Sequence, residues 1–453
     1  MSAAQIATRL FKTTPRPPGP VGLPFLGPMW AYQKAPLAFM VDAKQRYGDV
    51  VFTRFAGFGA YLVSSPEGIE YILRTNRDNF TKSALIERFR VVLGDGLLTS
   101  SGPLWTRQRK LIAPAFHHKR VQSYVEAMTD VIDRHLSRWR PGEREVTQDM
   151  MRLTLDIAVR TLFGTATGDA SERVGRALET VVDYFAETLS YPLPIPLSVP
   201  TPQNRRFLGA RDELFDVVQR IIREKRKSPD GDDLLSMLLA LEDEDGQGMN
   251  DQQLQDEVLT LLLAGHETTA LTLTYTFDLL ARHPEEERAL HAEVDRVLAD
   301  RIPTLEDLSG LVRVEQVVKE SMRLFPPAAT LIRQAQADDV VLGWPVPKGS
   351  LVVLPQWVTH RDARWFESPD EFKPARWTKA LEDQLPRYAY FPFGGGPRIC
   401  IGSAFAMLEA RLAVAMIAQR YTLARLDDRP LDLQASITIR PRNGLSMRAE
   451  PRR

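Results

Sequence analysis

The chain has 453 residues with 58 basic and 58 acidic side chains, so its formal charge is zero, and 44% of its residues are hydrophobic. This composition supplies enough apolar material for a large core and excludes a disordered protein. The balanced charge argues against a nucleic-acid partner, because affinity for phosphates depends on a surplus of Lys and Arg. The only cysteine, Cys400, excludes an intrachain disulfide bond and a zinc site that needs two or four thiolates.

The sequence predicts no membrane span and no export signal. Residues 1–20 contain no apolar run followed by a cleavage site. The two longest uncharged stretches, residues 17–33 and 188–204, are rich in proline and cannot form spanning helices. We therefore expect a cytoplasmic protein. Because the chain shows no repeat and no Gly/Ser linker, residues 17–453 are expected to form one domain, as a monomer, behind a flexible extension of residues 1–16.

Taken in chain order, the patterns predict a mainly helical protein with a minor β component. The segments from Val50 and from Ala60 are rich in β-branched and aromatic residues, which favours two strands. Apolar residues then recur every three or four positions, which predicts consecutive helices. These helices are expected over residues 119–139, 147–163, 171–189 and 204–227. Short strands are expected near residues 340–342, 351–354 and 437–439.

One predicted helix is unusually long. It begins after the N-cap Asn250 and covers residues 251–283, where Pro284 stops it, a length of about 50 Å at 1.5 Å per residue. Its longest uncharged run is too short for a membrane span, and its apolar residues keep no heptad pattern. We therefore expect it to cross the middle of the protein. Its centre, residues 264–269, reads AGHETT, and polar side chains at that depth need a partner or a function.

Cys400 lies in a glycine-rich turn directly before another predicted helix. The turn reads FGGGPRICIG over residues 393–402. The positive end of a helix dipole and free backbone N–H groups favour thiolate over thiol. Glycines let the backbone approach a flat ligand closely, and Arg398 supplies a cation for an anionic group on that ligand. These features suit a haem held by an axial thiolate.

The turn matches Phe-x-x-Gly-x-Arg-x-Cys-x-Gly at every fixed position, and it thereby resembles the signature of the cytochrome P-450 superfamily. The resemblance extends from Pro17 to about Arg448. It implies the cytochrome P-450 fold, in which haem b, iron protoporphyrin IX, lies between the long helix and the cysteine loop and helix. It makes Cys400 the iron ligand. The other loop residues that it assigns to haem binding are Phe393, Gly394, Arg398 and Gly402.

Two alternatives apply to the lone cysteine. A thiol protease would pair Cys400 with His360, but most long chains contain both residue types, and sequence spacing carries no geometry. A buried, inert cysteine is the other alternative. The complete loop pattern favours the haem ligand over both.

The centre of the long helix resembles the oxygen-activation motif of the same superfamily. Thr268 can turn its hydroxyl toward the carbonyl of Ala264, and together with Gly265 this can open a groove for O2 and water. The resemblance makes Glu267 and Thr268 the catalytic pair that delivers protons, and it places Ala264 against the haem. The alternatives are a solvated helix kink and a core threonine whose hydrogen bonds are satisfied.

An expected ion pair on a later helix fits the same resemblance. Glu320 and Arg323 have the i, i+3 spacing that puts a carboxylate and a guanidinium on one helix face. The superfamily joins this pair to a later arginine, here Arg376. We expect all three residues to be structural rather than catalytic.

Three more residues are assigned to the haem propionates. Trp105 and Arg109 lie one helical turn apart, so both can face one edge of a haem. The resemblance assigns them, with Arg333, as donors to the propionate oxygens. An exposed basic helix face is the alternative for Arg109.

The resemblance also implies a substrate pocket of small and aliphatic side chains, which suits an apolar substrate. The residues assigned to it are Leu98, Ala264, Ala328, Ala329 and Thr330. An arginine that some fatty-acid-hydroxylating relatives place near the first strands is absent, since Phe58 and Gly59 stand there. The proline-laden segment over residues 191–202 predicts a semi-rigid lid, and a membrane-touching loop is the alternative.

Together these features predict a haem-dependent monooxygenase that hydroxylates or epoxidises an apolar small molecule with O2. The chain contains no segment suited to a flavin or iron–sulfur domain, so electrons are expected from NAD(P)H through an external reductase and a ferredoxin or flavodoxin. The basic docking face expected for this partner comprises Arg107, Arg109, Lys110, Lys119 and Arg120. The alternatives are a haem-thiolate peroxygenase or isomerase and a noncatalytic helical haem-binding protein.

Overall fold

The computed structural model describes residues 15–22, 27–55, 58–164, 168–188, 195–228, 231–243 and 246–452. Residues 1–14 of the expected extension and residues 191–194 of the expected lid lie outside these described residues. The chain divides into two compact units, each assembled from three stretches of sequence. The first unit is Met1–Ala84, Ala329–Pro369 and Leu385–Ile399, and the second is Leu85–Ala328, Asp370–Gln384 and Cys400–Arg453. One domain over residues 17–453 stays a prediction.

A five-stranded sheet organises the first unit. Its strands are, in spatial order, Val50–Phe55, Phe58–Val63, Leu351–Leu354, Leu331–Ala335 and Phe80–Thr81. The second and third strands of this order are parallel, and the other neighbours are antiparallel. Both strands predicted near the start of the chain are confirmed. Tyr61, Val63, Val352 and Leu354 are buried in the core of this unit, as expected for β-branched and aromatic side chains on a pleated surface.

Short elements complete the first unit. The helical segments are Met29–Lys34, Pro36–Tyr47, Pro66–Glu70, the π-helical Tyr71–Thr75, Gln356–Thr359 and the 3₁₀ turn Gly396–Arg398. The strands Asp339–Val341 and Trp344–Val346 form an antiparallel ribbon.

Helices dominate the second unit. The α-helices are Ala84–Glu87, which begins at the boundary, then Arg90–Leu93, Gly102–Ile112, His118–Gln122, Val125–Leu136, Val146–Phe163, Gly168–Thr188, Pro202–Lys227, Leu234–Ala240, Asp251–Arg282, Pro284–Leu298, Val312–Leu324, Lys379–Gln384 and Ser403–Arg420. The 3₁₀ segments are Ala113–Phe116, Glu306–Gly310 and Pro374–Arg376. The strands are Gly142–Glu145, Ser446–Pro451 and Tyr421–Arg425 in one sheet, and Leu433–Ala435 with Ile439–Pro441 in a hairpin.

The long helix follows the prediction closely. It covers Asp251–Arg282, and a capping box closes its start, because the Asn250 side chain accepts from the Gln253 N–H and the Gln253 side chain accepts from the Asn250 N–H. The helix predicted over residues 119–139 was wrong in one respect: it is two helices with a break at Ser123 and Tyr124.

The core of the second unit forms around the long helix. The helix Val146–Phe163 packs along it, and the Thr154 hydroxyl donates to the His266 carbonyl over 2.9 Å. Near the other end, the Tyr275 hydroxyl donates to the Ile439 carbonyl over 2.7 Å. The fold is mainly α-helical with a minor β component, as predicted. In the described part of the chain, no helix combines the length and the apolar composition that crossing a bilayer requires.

Candidate functional site

The middle of the long helix carries one accessible face. Ala264 is exposed, and Leu261, Gly265 and Thr268 are partly exposed, although the helix around them is largely buried. Their spacing is i, i+3, i+4 and i+7, which places all four on one side of a helix. We call these four residues the accessible stripe. A Cβ added to Gly265 would meet no atom of another element within 4 Å, so the stripe borders open space.

Thr268 supplies a hydroxyl to the accessible stripe. Its Oγ1–H donates to the Ala264 carbonyl oxygen over 2.8 Å, which confirms the predicted direction of this hydroxyl. The oxygen of Thr268 keeps lone pairs that can accept a hydrogen bond from a molecule in the open space. The stripe can therefore hold a small polar ligand beside an otherwise apolar surface.

Glu267 points away from the accessible stripe. Its carboxylate is buried, and its Oε1 accepts from the Arg440 Nε over 2.6 Å and from the Thr438 hydroxyl. Burial alone would raise the pKa of Glu267, but the charge and hydrogen bond of Arg440 outweigh it and hold that pKa below its usual value. The sequence predicted a carboxylate that delivers protons toward Thr268. In this conformation the carboxylate is instead bound to the C-terminal hairpin.

Cys400 begins the last stretch of the second unit, and its surface is accessible. The neighbouring protein atoms still desolvate the thiol and raise its pKa, although the Gly402 N–H and the charge of Arg109 oppose this. The helix Ser403–Arg420 starts three residues later. The sequence predicted that this helix N-terminus would favour the thiolate. Desolvation instead outweighs the effects of the Gly402 N–H and the Arg109 charge on the pKa of the thiol.

The glycines before Cys400 belong to the first unit, and two of them are required by protein contacts. A Cβ on Gly395 would lie 2.3 Å from the Tyr388 ring. Gly396 has φ +67°, and a Cβ there would lie 1.9 Å from the Leu73 carbonyl oxygen. The sequence predicted that these glycines would let the backbone approach a ligand. Their first effect is to let the turn approach its own unit. Phe393, Gly394 and Arg398 are all partly buried in this turn.

His360 anchors the same turn, although sequence reasoning considered it only as a catalytic base. It is fully buried, and its Nε2 accepts from the Phe391 N–H over 2.9 Å. Gln356 donates to the Phe391 carbonyl. Because Nε2 of His360 is engaged by the backbone, the thiol protease alternative loses its base.

Two arginines, Arg109 and Arg333, are partly buried. Burial lowers the pKa of Arg109, although the charge of Cys400 opposes this. Arg333 lies on the strand Leu331–Ala335, and burial lowers its pKa to about 10. Among the described residues, its guanidinium has no acidic partner and donates only to the Ile332 carbonyl over 3.0 Å. A buried cation of this kind suits an anionic ligand. Trp105 lies one turn before Arg109 and is partly buried.

The predicted triad of Glu320, Arg323 and Arg376 is joined as expected. Glu320 is fully buried and accepts from both other members over 2.9 Å. Its carboxylate also accepts from the Lys373 N–H and the Trp377 Nε1, each over 2.9 Å. Sequence reasoning missed Trp377, although it follows Arg376 directly. The carboxylate is satisfied on all sides, which suits a structural role.

The predicted pocket residues divide between the units. Leu98 is 38% exposed, and Ala328 is partly buried, both in the second unit. Ala329 is buried and Thr330 partly buried, both in the first unit.

The predicted basic docking face is less charged than the sequence indicated. Arg107 pairs with Asp243 over 2.7 Å, and Arg120 pairs with Asp232 over 3.4 Å. Lys110 and Lys119 are exposed. Acidic neighbours therefore neutralise part of this face, and its attraction for an acidic protein is correspondingly smaller.

The residues fit a haem held by a thiolate. Such a site needs an accessible sulfur ligand, space for a small molecule and cations for two carboxylates. The second unit offers the accessible Cys400, the open space beside Gly265 and Arg109, whose charge acts on the Cys400 thiol. In the first unit, Arg333 taken by itself is a partly buried cation that suits a carboxylate.

Comparison with known proteins agrees with this chemistry. A profile of the cytochrome P450 family matches residues 17–447. Cyclooctat-9-en-7-ol 5-monooxygenase of Streptomyces melanosporofaciens is 37% identical over 91% of this chain and 90% of that protein. Pentalenene oxygenase of Streptomyces avermitilis is 33% identical over 89% of this chain and 90% of that protein.

A solved structure extends the comparison to the fold. The retinoic acid bound cyanobacterial CYP120A1 is 27% identical to this chain with a TM-score of 0.86. The match covers 97% of this chain and 100% of that structure. Sequence and fold therefore agree over nearly the whole length. The chain belongs to the cytochrome P450 family, and it is a P450 monooxygenase.

Proposed function

We propose that this monooxygenase inserts one atom of O2 into an apolar terpenoid and reduces the other atom to water, with electrons supplied by a separate protein. Relatives that are named for cyclooctat-9-en-7-ol and pentalenene support the substrate class. The observation that carries the proposal is the accessible stripe, where Thr268 is the polar side chain on an apolar face that borders open space. This surface suits a hydrocarbon skeleton and a small oxygen ligand together.

Haem, once bound, supplies the chemistry that activates O2. Cys400 would hold the haem iron, because it is the only thiol of the chain and its surface is accessible. Arg109 and Arg333 would donate to the haem propionates, and the partial burial of both side chains would strengthen these hydrogen bonds. The remaining haem contacts are assigned to Trp105, Phe393, Gly394, Arg398, Gly402 and Ala264.

Thr268 positions a proton at the accessible stripe. Its hydroxyl donates to the Ala264 carbonyl oxygen, which already has a helical partner. Breaking this hydrogen bond therefore costs about 1 kcal/mol. The Thr268 oxygen can accept a proton from water and pass its own hydrogen to a ligand on the stripe. Positioned proton transfer of this kind contributes about 10²- to 10⁴-fold to a rate.

Glu267 supplies a proton to this water only after its carboxylate separates from Arg440. The ion pair keeps the carboxylate ionised, and an ionised carboxylate can accept a proton but has none to give. When the side chain rotates away from Arg440, burial raises the pKa of the carboxyl group and makes it a donor. Glu267 thus works as a proton carrier that alternates between Arg440 and the side of Thr268.

Isotope labelling of the purified holoprotein tests the proposed reaction. Cyclic terpenoids and fatty acids of similar size are offered with ¹⁸O2, a ferredoxin or flavodoxin, its reductase and NAD(P)H. We expect one ¹⁸O atom in a terpenoid product, a shift of the haem spin state on terpenoid binding, and slower turnover at high ionic strength. Label from water, efficient turnover by NAD(P)H alone, or preference for the fatty acids would contradict the proposal.

A peroxide control separates the monooxygenase from the peroxygenase alternative. Hydrogen peroxide without reductase is offered to the same protein and the same terpenoids. We expect slow turnover, since the Glu267 and Thr268 pair serves proton delivery to O2. Peroxide-driven turnover as fast as the reductase-driven reaction would favour the peroxygenase.

A further inference from the structure

The segment Gly94–Ser100 lies directly on the long helix and is bonded to it by two carboxylates. The Asp95 N–H donates to Asp256 Oδ2 over 2.8 Å, and the Leu97 N–H donates to Glu257 Oε2 over 3.0 Å. Both carboxylates are buried. Hydrogen bonds from backbone N–H groups to ionised carboxylates are about twice as strong as bonds between neutral groups. We call this segment with its two carboxylates the loop clasp.

Two glycines allow this close approach. A Cβ on Gly94 would lie 2.2 Å from the carboxylate oxygens of Asp256, and φ at Gly94 is +48°. A Cβ on Gly96 would lie 2.2 Å from Thr260 Oγ1 and 2.6 Å from the Asp256 carbonyl oxygen. Any larger residue at either position would push the segment off the helix. The sequence GDGLLTS therefore suits contact with this helix at two separate points.

The segment is also held by an internal hydrogen bond of Thr99 and by one from the helix Gly102–Ile112. The Thr99 hydroxyl donates to the Gly94 carbonyl over 2.8 Å, and the Gln108 side chain donates to the Asp95 carbonyl over 2.8 Å. Thr99, Ser100 and Leu97 are buried, whereas Leu98 is 38% exposed. Leu98 is therefore the one exposed apolar side chain of this segment, and the other exposed residue is Asp95.

The helix geometry places this segment near one end of the accessible stripe. Residues 257, 261, 264 and 268 have the spacing i, i+4, i+7 and i+11, so Glu257 shares the face of the stripe. Four residues of a helix rise about 6 Å, so Glu257 lies one turn before Leu261. Since the Leu97 N–H is bonded to Glu257, the next residue, Leu98, lies beside the helical turn that precedes Leu261.

A buried carboxylate is costly to keep, so its position needs a reason. Burial raises the pKa of Asp256, although the Asp95 N–H and the Gln252 side chain oppose this. An apolar contact would pack the segment at less cost in desolvation. Directional bonds to two backbone N–H groups give what apolar packing does not, namely one fixed position of the segment along the helix.

We propose that Asp256 and Glu257 are positioning residues that determine substrate specificity, because they fix Leu98 as the wall at the end of the accessible stripe. This inference rests on the proposed function, since it presumes that apolar substrates bind along the stripe. The wall limits how far a rigid ring system can extend toward Glu257. It thereby determines which carbon of that ring system lies beside Ala264 and Thr268.

Hydrogen exchange of the holoprotein tests the loop clasp without using activity. Glu257→Ala removes the acceptor, and we expect the peptide covering Gly94–Ser100 to exchange about 10-fold faster, the effect of losing a charge-assisted hydrogen bond. Glu257→Gln keeps an acceptor oxygen but loses the charge, so its exchange should lie between those of the wild type and Glu257→Ala. Asp251→Asn is the matched control, because Asp251 lies on the same helix but pairs with Arg226 at the surface. Equal exchange in all variants would overturn the proposal.

Gly96→Ala tests the clasp from the side of the loop. It leaves both carboxylates in place, but its Cβ meets Thr260 and the helix backbone, so we expect faster exchange here as well. This variant decides the question if Glu257→Ala fails to fold. Wild-type exchange in Gly96→Ala would overturn the proposal.

Two azole probes test the effect on binding. Imidazole is too small to reach the wall, whereas 4-phenylimidazole extends from the haem along the stripe. In Glu257→Ala we expect the Kd of 4-phenylimidazole to rise about 10-fold, because a loosened wall has to be ordered on binding, with imidazole changed less than about 2-fold. Equal changes for both probes would overturn the assignment of specificity. A wild-type protein that binds neither azole would count against the proposed function instead, and the exchange result would still decide the clasp.

Discussion

Arg440 and Glu267 are 173 residues apart in sequence, and the Arg440 Nε–H donates to the Glu267 carboxylate over 2.6 Å. The same guanidinium pairs with Asp183 over 3.2 Å, on the helix Gly168–Thr188. The carboxylate beside the candidate proton donor Thr268 is therefore controlled by the C-terminal hairpin. Loss of this ion pair has measurable effects on stability and on its pH dependence.

Replacing Arg440 with Leu should lower the free energy of unfolding by about 2–4 kcal/mol, because Glu267 stays buried without its partner. Chemical denaturation of the holoprotein measures this. Arg442→Leu is the matched control, since Arg442 pairs with Asp432 at the surface and its loss should change stability by less than about 0.5 kcal/mol. Equal losses in the two variants would contradict the account of Glu267.

In Arg440→Leu, the contribution of Glu267 to the free energy of unfolding should change with pH in the opposite direction to that in the wild type. In the wild type, the pKa of Glu267 is lowered in the fold, so its contribution to stability is present above the unfolded pKa and is lost as pH falls. Without Arg440, burial raises the pKa of Glu267, so this contribution is lost as pH rises instead. Denaturation between pH 4 and pH 8 measures both slopes.

Replacing Glu320 with Ala should lower the free energy of unfolding by about 3–5 kcal/mol, because it leaves Arg323 fully buried without a counter-charge. The yield of folded holoprotein and its denaturation midpoint measure this. Arg376→Lys keeps a cation at the edge of the triad and should have a smaller effect. A Glu320→Ala protein of wild-type stability would contradict the structural role of the triad.

Several elements could be predicted because their signals are local. Asn250 and Pro284 predict the ends of the long helix to within one residue. The sequence around Cys400 predicts a turn there and the helix after it. The break at Tyr124 had no such signal. Neither proline nor glycine interrupts that segment, and the Tyr124 ring instead contacts Phe405, which is distant in sequence.

The partners of the site residues could not be read from the sequence. Arg440 lies 173 residues after Glu267, and Leu97 lies 160 residues before Glu257. No periodicity connects residues at such distances, and only the packed chain brings them together. The sequence correctly predicted the direction of the Thr268 hydroxyl, because its acceptor lies one helical turn away.

Glu409, on the helix that follows Cys400, should be neutral in the folded protein. It is buried, and burial raises its pKa well above the usual value, although a hydrogen bond with Thr269 opposes this. The Thr269 hydroxyl donates to the Gly265 carbonyl over 3.0 Å, so a protonated Glu409 can donate to the Thr269 oxygen. Infrared spectroscopy should show a carboxylic acid C=O band that Glu409→Gln removes.

The sign of the Glu409 effect on stability follows from its raised pKa. Its contribution is fully present below the unfolded pKa and is lost as pH rises toward the folded pKa. The free energy of unfolding should therefore fall less between pH 5 and pH 8 in Glu409→Gln than in the wild type. Glu143→Gln, at the surface, should leave the wild-type slope unchanged. Identical slopes in all three proteins would show that Glu409 is ionised.

Replacing Thr268 with Ala should leave haem binding intact and divert electrons from product to hydrogen peroxide. Loss of the positioned hydroxyl should lower the product formed per electron pair by about 10-fold or more. Product and peroxide are measured together with NAD(P)H consumption. Thr268→Ser should keep most of the coupling. Thr276→Ala is the matched control, because Thr276 makes the same kind of bond, to the Thr272 carbonyl, but is buried. Unchanged coupling in Thr268→Ala would mean that another group delivers the proton.

The proposed reaction requires Cys400 as the iron ligand, and the spectrum of the reduced protein with carbon monoxide tests this assignment. Because Cys400 is the only thiol of the chain, thiolate ligation can come from no other residue. We predict the red-shifted Soret band of a haem bound to thiolate, and the loss of this band in Cys400→Ala. An imidazole-type spectrum of the wild-type protein, or a red-shifted band that persists in Cys400→Ala, would contradict the assignment.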